Sequence, residues 1–241
     1  MRNEIIDNQY STAIESAELS KTFMSKVFSW MFVALALSGV AAYLFGTTPE
    51  LLRYLINFET GGMTILGWVV MLAPLGLVML MSFRVQKMSF SALFMTFIAY
   101  SVITGISLSF IFLAYTMSSI AVTFFVTAGT FGIMALLGYT TRTDLTKFGS
   151  ILYMALIGLI IASVVNWFLG SSTMDYIISG IGVLIFTGLT AYDTQKLKNI
   201  GAQVDAYSEV GKKSAIMGAL SLYLDFINLF LFLLRFMGDR N

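Results

Sequence analysis

The chain of 241 residues contains no cysteine, no histidine and only two prolines, and charged residues make up only 11% of it. Without cysteine there is no disulfide framework and no thiol chemistry. Without histidine the commonest general base, metal ligand and neutral-pH switch is missing, so proton chemistry falls to carboxylates, lysine or tyrosine. Soluble domains carry about 25% charged residues. The deficit here is filled by apolar side chains, at 58% of the chain and a mean hydropathy of +0.85. That balance indicates a membrane protein. A net charge of +1 offers no basic stripe for nucleic acid, and no nucleic-acid partner is expected.

The first 26 residues include Glu4, Asp7, Glu15 and Glu18 and lack the short apolar core and small-residue cleavage site of a signal peptide. They read as a cytosolic tail, with a short amphipathic helix over "YSTAIESAELSKTFMSKV". A spanning helix needs about 20 apolar residues. Seven stretches qualify: 27–46, 63–82, 90–115, 117–139, 149–169, 175–199 and 215–237, with a C-terminal tail over 238–241. The third and fourth are separated only by "TMSS", which fits either a long bent pair or a tight hairpin. The expected fold class is therefore an all-α integral membrane protein of seven transmembrane helices. Of the 14 Lys and Arg, all but Arg53, Arg235 and Arg240 fall on one side of such a bundle. Basic loops stay in the cytosol. This places the N-terminus in the cytosol and the C-terminus outside.

Two acids interrupt the apolar runs. In the seventh span Gly218, Ser221, Asp225 and Asn228 share one helical face, with Arg235 two turns beyond. In the sixth, Ser179, Gly182, Phe186, Thr190 and Asp193 do the same. Small and hydroxyl residues at such positions are ordinary packing devices. An Asp inside a span costs about 2.5–3.5 kcal/mol to insert and usually marks an ion or proton pathway. Asp225 should lie about 15 Å along its helix, and Asp193 about 9 Å from the cytosolic end of its own. The two carboxyls are thus expected to meet. Two carboxylates in a low-dielectric site tend to share one proton. Singly protonated they form a latch between helices; doubly ionised they repel or recruit a cation, and Ca²⁺ favours oxygen ligands. Arg84, ending the second span, is the best basic residue to compensate the pair, or else a snorkelling anchor. Asn228, Ser221, Thr190 and Tyr192 are candidate pore or latch neighbours. Glu50, Glu59 and Asp175, outside, either concentrate cations or are ordinary solvated charges. An intramembrane aspartyl protease also pairs two Asp, the first in a Tyr-Asp dipeptide such as Tyr192-Asp193. Its Gly-x-Gly-Asp motif is replaced here by "LYLD", and both prolines lie far upstream of Asp225. No enzyme is expected.

Four segments, "FMSKVFSWMFVALALSGVAAY", "LGYTTRTDLTKFGSIL", "FTGLTAYDTQKLK" and "SLYLDFINLFLFLLRF", together resemble the Bax inhibitor (TMBIM) family in the family's order. The resemblance implies a central seventh helix surrounded by the other six. It also implies a monomeric, pH-sensitive calcium-leak channel of a bacterial plasma membrane. Asp193 and Asp225 match the family's paired aspartates, and Arg84 its gating arginine on the second helix. The implied cargo is Ca²⁺, held transiently by Asp193 and Asp225, with lipid as surroundings and no tightly bound cofactor. Some bacterial relatives instead bind a membrane-bound AAA protease, so a non-conducting regulator is the alternative. The sixth-to-seventh loop, "GAQVDAYSEVGKKS", is longer than a compact member needs, and its role is open.

Overall fold

The structure, a computed structural model, describes residues 2–240, with side chains from residue 14 onward. The side chains of Glu4 and Asp7 in the tail lie outside the described residues. Helix α1 (Arg2–Thr47) runs without a break from the tail through the first span. Residues 2–38 contain neither glycine nor proline, so nothing stops the helix where the charged stretch meets the apolar one. The separate amphipathic segment expected before the span is therefore part of α1. A single turn, α2 (Pro49–Leu52), follows, with proline at its start, where the missing N–H costs nothing.

Helix α3 (Ile65–Arg84) is capped by Thr64, whose hydroxyl accepts from the Gly67 amide, and carries Pro74 inside. Helix α4 (Phe90–Leu108) and the turn α5 (Ile111–Ala114) form the third span. Thr116 then caps α6 (Met117–Thr140) by accepting from the Ser119 amide, so "TMSS" is a tight hairpin. Helix α7 (Thr146–Leu169) ends on Gly170 at φ 62°, a left-handed C-cap that glycine adopts without a Cβ penalty. Ser171 at once caps α8 (Ser172–Gly201), accepting from the Met174 amide. Helix α9 (Glu209–Met237) begins six residues earlier than its apolar run. Ser208 caps it by accepting from the Gly211 amide, and Glu209 favours its positive end.

Seven of these helical stretches are long and apolar enough to cross a membrane, and no strand occurs among the described residues. The last of them, α9, is the most buried, while α3 and α7 are the least. Its main helix neighbours are α8, α1, α6 and α4; α3 stands outside α4, and α7 outside α8. The burial of α9 explains why an acid on it must face protein rather than lipid.

The loop left open by the sequence docks on α1. Lys26 Nζ donates to the Ala206 carbonyl at 2.8 Å and sits 3.5 Å above the Tyr207 ring. Ser20 Oγ donates to the Lys198 carbonyl at 2.9 Å, joining the end of α8 to the same helix. At the opposite end Asp239 and Arg240, after α9, are tied down rather than free. The Asp239 amide donates to Ser119 Oγ at 2.9 Å, and the Thr116 amide to the Asp239 carbonyl at 3.1 Å. Asp175 accepts from Arg235 at 3.5 Å and Arg240 at 3.4 Å. It is therefore neither a free cation collector nor a lone solvated charge, because α8 starts beside the end of α9.

Candidate functional site

A cavity of about 300 Å³ lies among α7, α8 and α9. Asp193 enters it from α8 and Asp225 from α9, and they are 3% and 5% exposed. The helical register that puts both acids on small or polar faces thus brings them to one hollow. Leu156, Leu159, Leu189 and Phe232 supply much of the wall, so the surroundings of the carboxyls are largely apolar.

The two carboxyls differ in their partners. Ser221 Oγ, one turn before Asp225 on α9, donates to Asp193 Oδ2 at 2.7 Å. Tyr153 OH, from α7, donates to Asp193 Oδ1 at 3.2 Å and lies 3.4 Å from Oδ2. Asp225 Oδ2 is buried and has no hydrogen-bond partner. Asp193 is thus held by hydroxyls from α7 and α9. Among the described residues no Lys or Arg forms an ion pair with either acid. Two negative charges placed here would repel across a low-dielectric gap.

The other expected residues separate into groups. Ser221 and Asn228 line the cavity; Asn228 Nδ2 donates to the Leu224 carbonyl at 2.8 Å, one turn back. Thr190 is fully buried but donates to its own helix, at the Phe186 carbonyl, 2.8 Å away. It serves helix packing and does not line the cavity. Tyr192 lies behind the site, its ring edge-on to that of Tyr153 at 6.0 Å. Gly149 on α7 leaves room for Tyr192, since a Cβ there would collide with that ring. A tyrosine in the Tyr-Asp dipeptide therefore braces the tyrosine that bonds the acid.

Arg84 is exposed at the end of α3, whose main helix neighbour is α4. Among the described residues it forms no ion pair with either acid, and an exposed place at a helix end suits the snorkelling anchor. The basic residues nearest the site by sequence are otherwise engaged. Lys198 Nζ donates to the Tyr139 carbonyl at 2.7 Å, and exposed Lys196 lies 5.9 Å above the Tyr192 ring. Sequence reasoning missed Tyr153. Its one signal was position: a hydroxyl-bearing aromatic one turn after Gly149, on the helix preceding Asp193.

A model of the family described as inhibitor of apoptosis-promoting Bax1 (Bax1-I) matches residues 20–241. The inner membrane protein YbhL of Escherichia coli is 47% identical over 221 residues, covering 91% of this chain and 92% of its own. An uncharacterized protein of Rickettsia prowazekii is 43% identical over 238 residues, covering 96% and 98%. Another, from Borreliella burgdorferi, is 43% identical over 222 residues, covering 92% and 94%. All of α2 through α9, with both aspartates and the cavity between them, falls inside the matched range, and the chain belongs to the Bax inhibitor family.

Proposed function

We propose that this protein is a passive, pH-sensitive calcium leak whose gate is the Asp193/Asp225 pair. The observation that carries the reading is the unequal pair itself. Two buried acids face one cavity, neither paired with a Lys or Arg among the described residues, and Asp225 Oδ2 has no hydrogen-bond partner. One added proton gives that oxygen a donor and removes the repulsion. With the proton gone, the same oxygens, joined by Ser221, Tyr153 and Asn228, favour a passing divalent ion. Two carboxylates are few for a hard cation that takes 6–8 oxygens. Weak, transient coordination suits conduction, which requires that the ion leave as readily as it enters. The chain acts in this reading as a monomer without enzyme activity or a tightly bound cofactor. The name of the Escherichia coli relative supports an inner-membrane location, and the basic residues favour a cytosolic N-terminus.

The test is Ca²⁺ entry into proteoliposomes, read by an enclosed dye at several values between about pH 5 and 8. Wild-type protein should show flux that changes with pH, and Asp225→Asn and Asp193→Asn should flatten that change. Unaltered flux and pH dependence in both variants would sink the gate. No flux from pure wild-type protein at any pH would sink conduction itself. A regulator of a membrane-bound AAA protease would then be the reading to pursue, through co-purification with and without the N-terminal tail.

A further inference from the structure

Helices α1 and α6 both pack on α8 and α9, yet between them runs a groove of about 1040 Å³. One end carries Lys21 and Tyr139, the other Val40 and Phe124. Along α1 this is about 28 Å, close to the 30 Å hydrocarbon thickness of a bilayer. The floor reaches the central helix at Phe226, whose ring meets that of Phe131 edge-on at 5.5 Å. Phe32, on the rim, is 72% exposed and faces the surrounding lipid. Gly39 and Gly132 line the walls, and a Cβ on either would meet nothing within 4 Å.

Three observations choose the occupant. Water is a poor filler, since the lining is nearly all apolar and water needs two to four polar partners. A helix is too thick: at about 10 Å across and 28 Å long it would occupy roughly twice this volume. A hydrocarbon chain is slender enough, and the bilayer supplies it. Charge then selects the headgroup. Lys21 stands exposed at the mouth, and among the described residues it makes no ion pair. It stands on the side of the bundle where most of the basic residues lie.

We propose that this groove binds one anionic phospholipid, with its phosphate against Lys21 and an acyl chain laid along α1 and α6 toward Phe131 and Phe226. The headgroup contact orients the lipid, and the apolar walls supply the affinity. The chain end rests on the helix that carries Asp225, but the binding itself requires no ion conduction.

The experiment is native mass spectrometry of the full-length protein in neutral detergent, titrated with phosphatidylglycerol or phosphatidylcholine of identical chains. One lysine near the surface favours an anionic headgroup by about fivefold, and that preference is expected here. Lys21→Gln should abolish the preference and leave chain-driven binding. The double variant Gly39→Leu/Gly132→Leu fills the groove where space already exists, so folding should survive. The leucine side chains take the space of the acyl chain, so both lipids should bind about tenfold more weakly. Gly158→Leu also enters open space, on exposed α7 away from the groove, and should match wild type. The proposal is overturned if the filled variant binds both lipids as wild type does, or if wild type shows no headgroup preference. It is equally overturned by a dimer that disappears on filling, which would assign the groove to a second copy.

Discussion

On the α1 and α4 side of α9, Tyr223 is fully buried and shares a 2.7 Å hydrogen bond with Ser38. Ser38 in turn donates to the Ser101 carbonyl at 2.6 Å, and Tyr100 sets its ring edge-on to Tyr223 at 5.6 Å. On the α7 and α8 side, two residues later, Asp225 faces a hollow with Oδ2 unpartnered. The first flank is neutral and close-packed. The second is acidic and open. Polar atoms inside a bundle serve as adhesive when each finds a donor or acceptor. They become a liability kept for function when they do not.

The largest effect should come from breaking the packed flank. Tyr223→Ala removes a fully buried ring and should cost about 3–5 kcal/mol of stability, measured as a fall in Tm in detergent. Its remaining flux should keep the wild-type pH profile; a displaced profile would show that the flanks are coupled. Asp225→Leu should do the reverse. Removing a buried oxygen that has no partner should leave stability unchanged or raise it by about 1–3 kcal/mol, while pH-dependent flux is lost. A lower Tm would mean that Asp225 is an adhesive like Tyr223. Tyr153→Phe deletes one of the two donors to Asp193 and should cost about 1 kcal/mol, with the ring contact to Tyr192 preserved.

The smallest effect belongs to an acid in water. Asp144, between α6 and α7, accepts from the Thr146 hydroxyl at 2.6 Å and amide at 2.9 Å. These bonds, the hydroxyl first, hold its carboxyl below the ordinary value of 3.8. A lowered carboxyl adds stability above its unfolded value, and that contribution disappears as pH falls through the folded one. Thr146→Val should let the carboxyl rise toward 3.8, seen by NMR titration, with stability near neutral pH reduced only slightly. A hydroxyl donor would thus be compared in solvent and, at Asp193, at a buried site.

The legible part of the site was the part that stands out against an apolar background. Asp193 and Asp225 were visible because an acid in a span is rare, and their helical faces could be read from spacing alone. Tyr153 was not, because a tyrosine in an apolar run is commonplace until packing gives its hydroxyl a partner. Arg84 shows the complementary limit. Its place at the end of the second span was readable, but that its helix packs mainly on α4 was not. Asp175 looked like a free charge because its partners, Arg235 and Arg240, are 60 and 65 residues away.

Composition and hydrophobic run length by themselves determined seven spanning helices, since a bilayer forces every backbone polar group into such segments. Helix periodicity determined that each acid shares a face with small or polar residues. Tertiary structure alone decided that those faces enclose a cavity, that hydroxyls of Tyr153 and Ser221 hold Asp193, and that α1 and α6 leave a groove between them. The reason is physical. A side chain that faces lipid, a neighbouring helix or a hollow can be equally apolar, and only the packing of the whole bundle distinguishes the three.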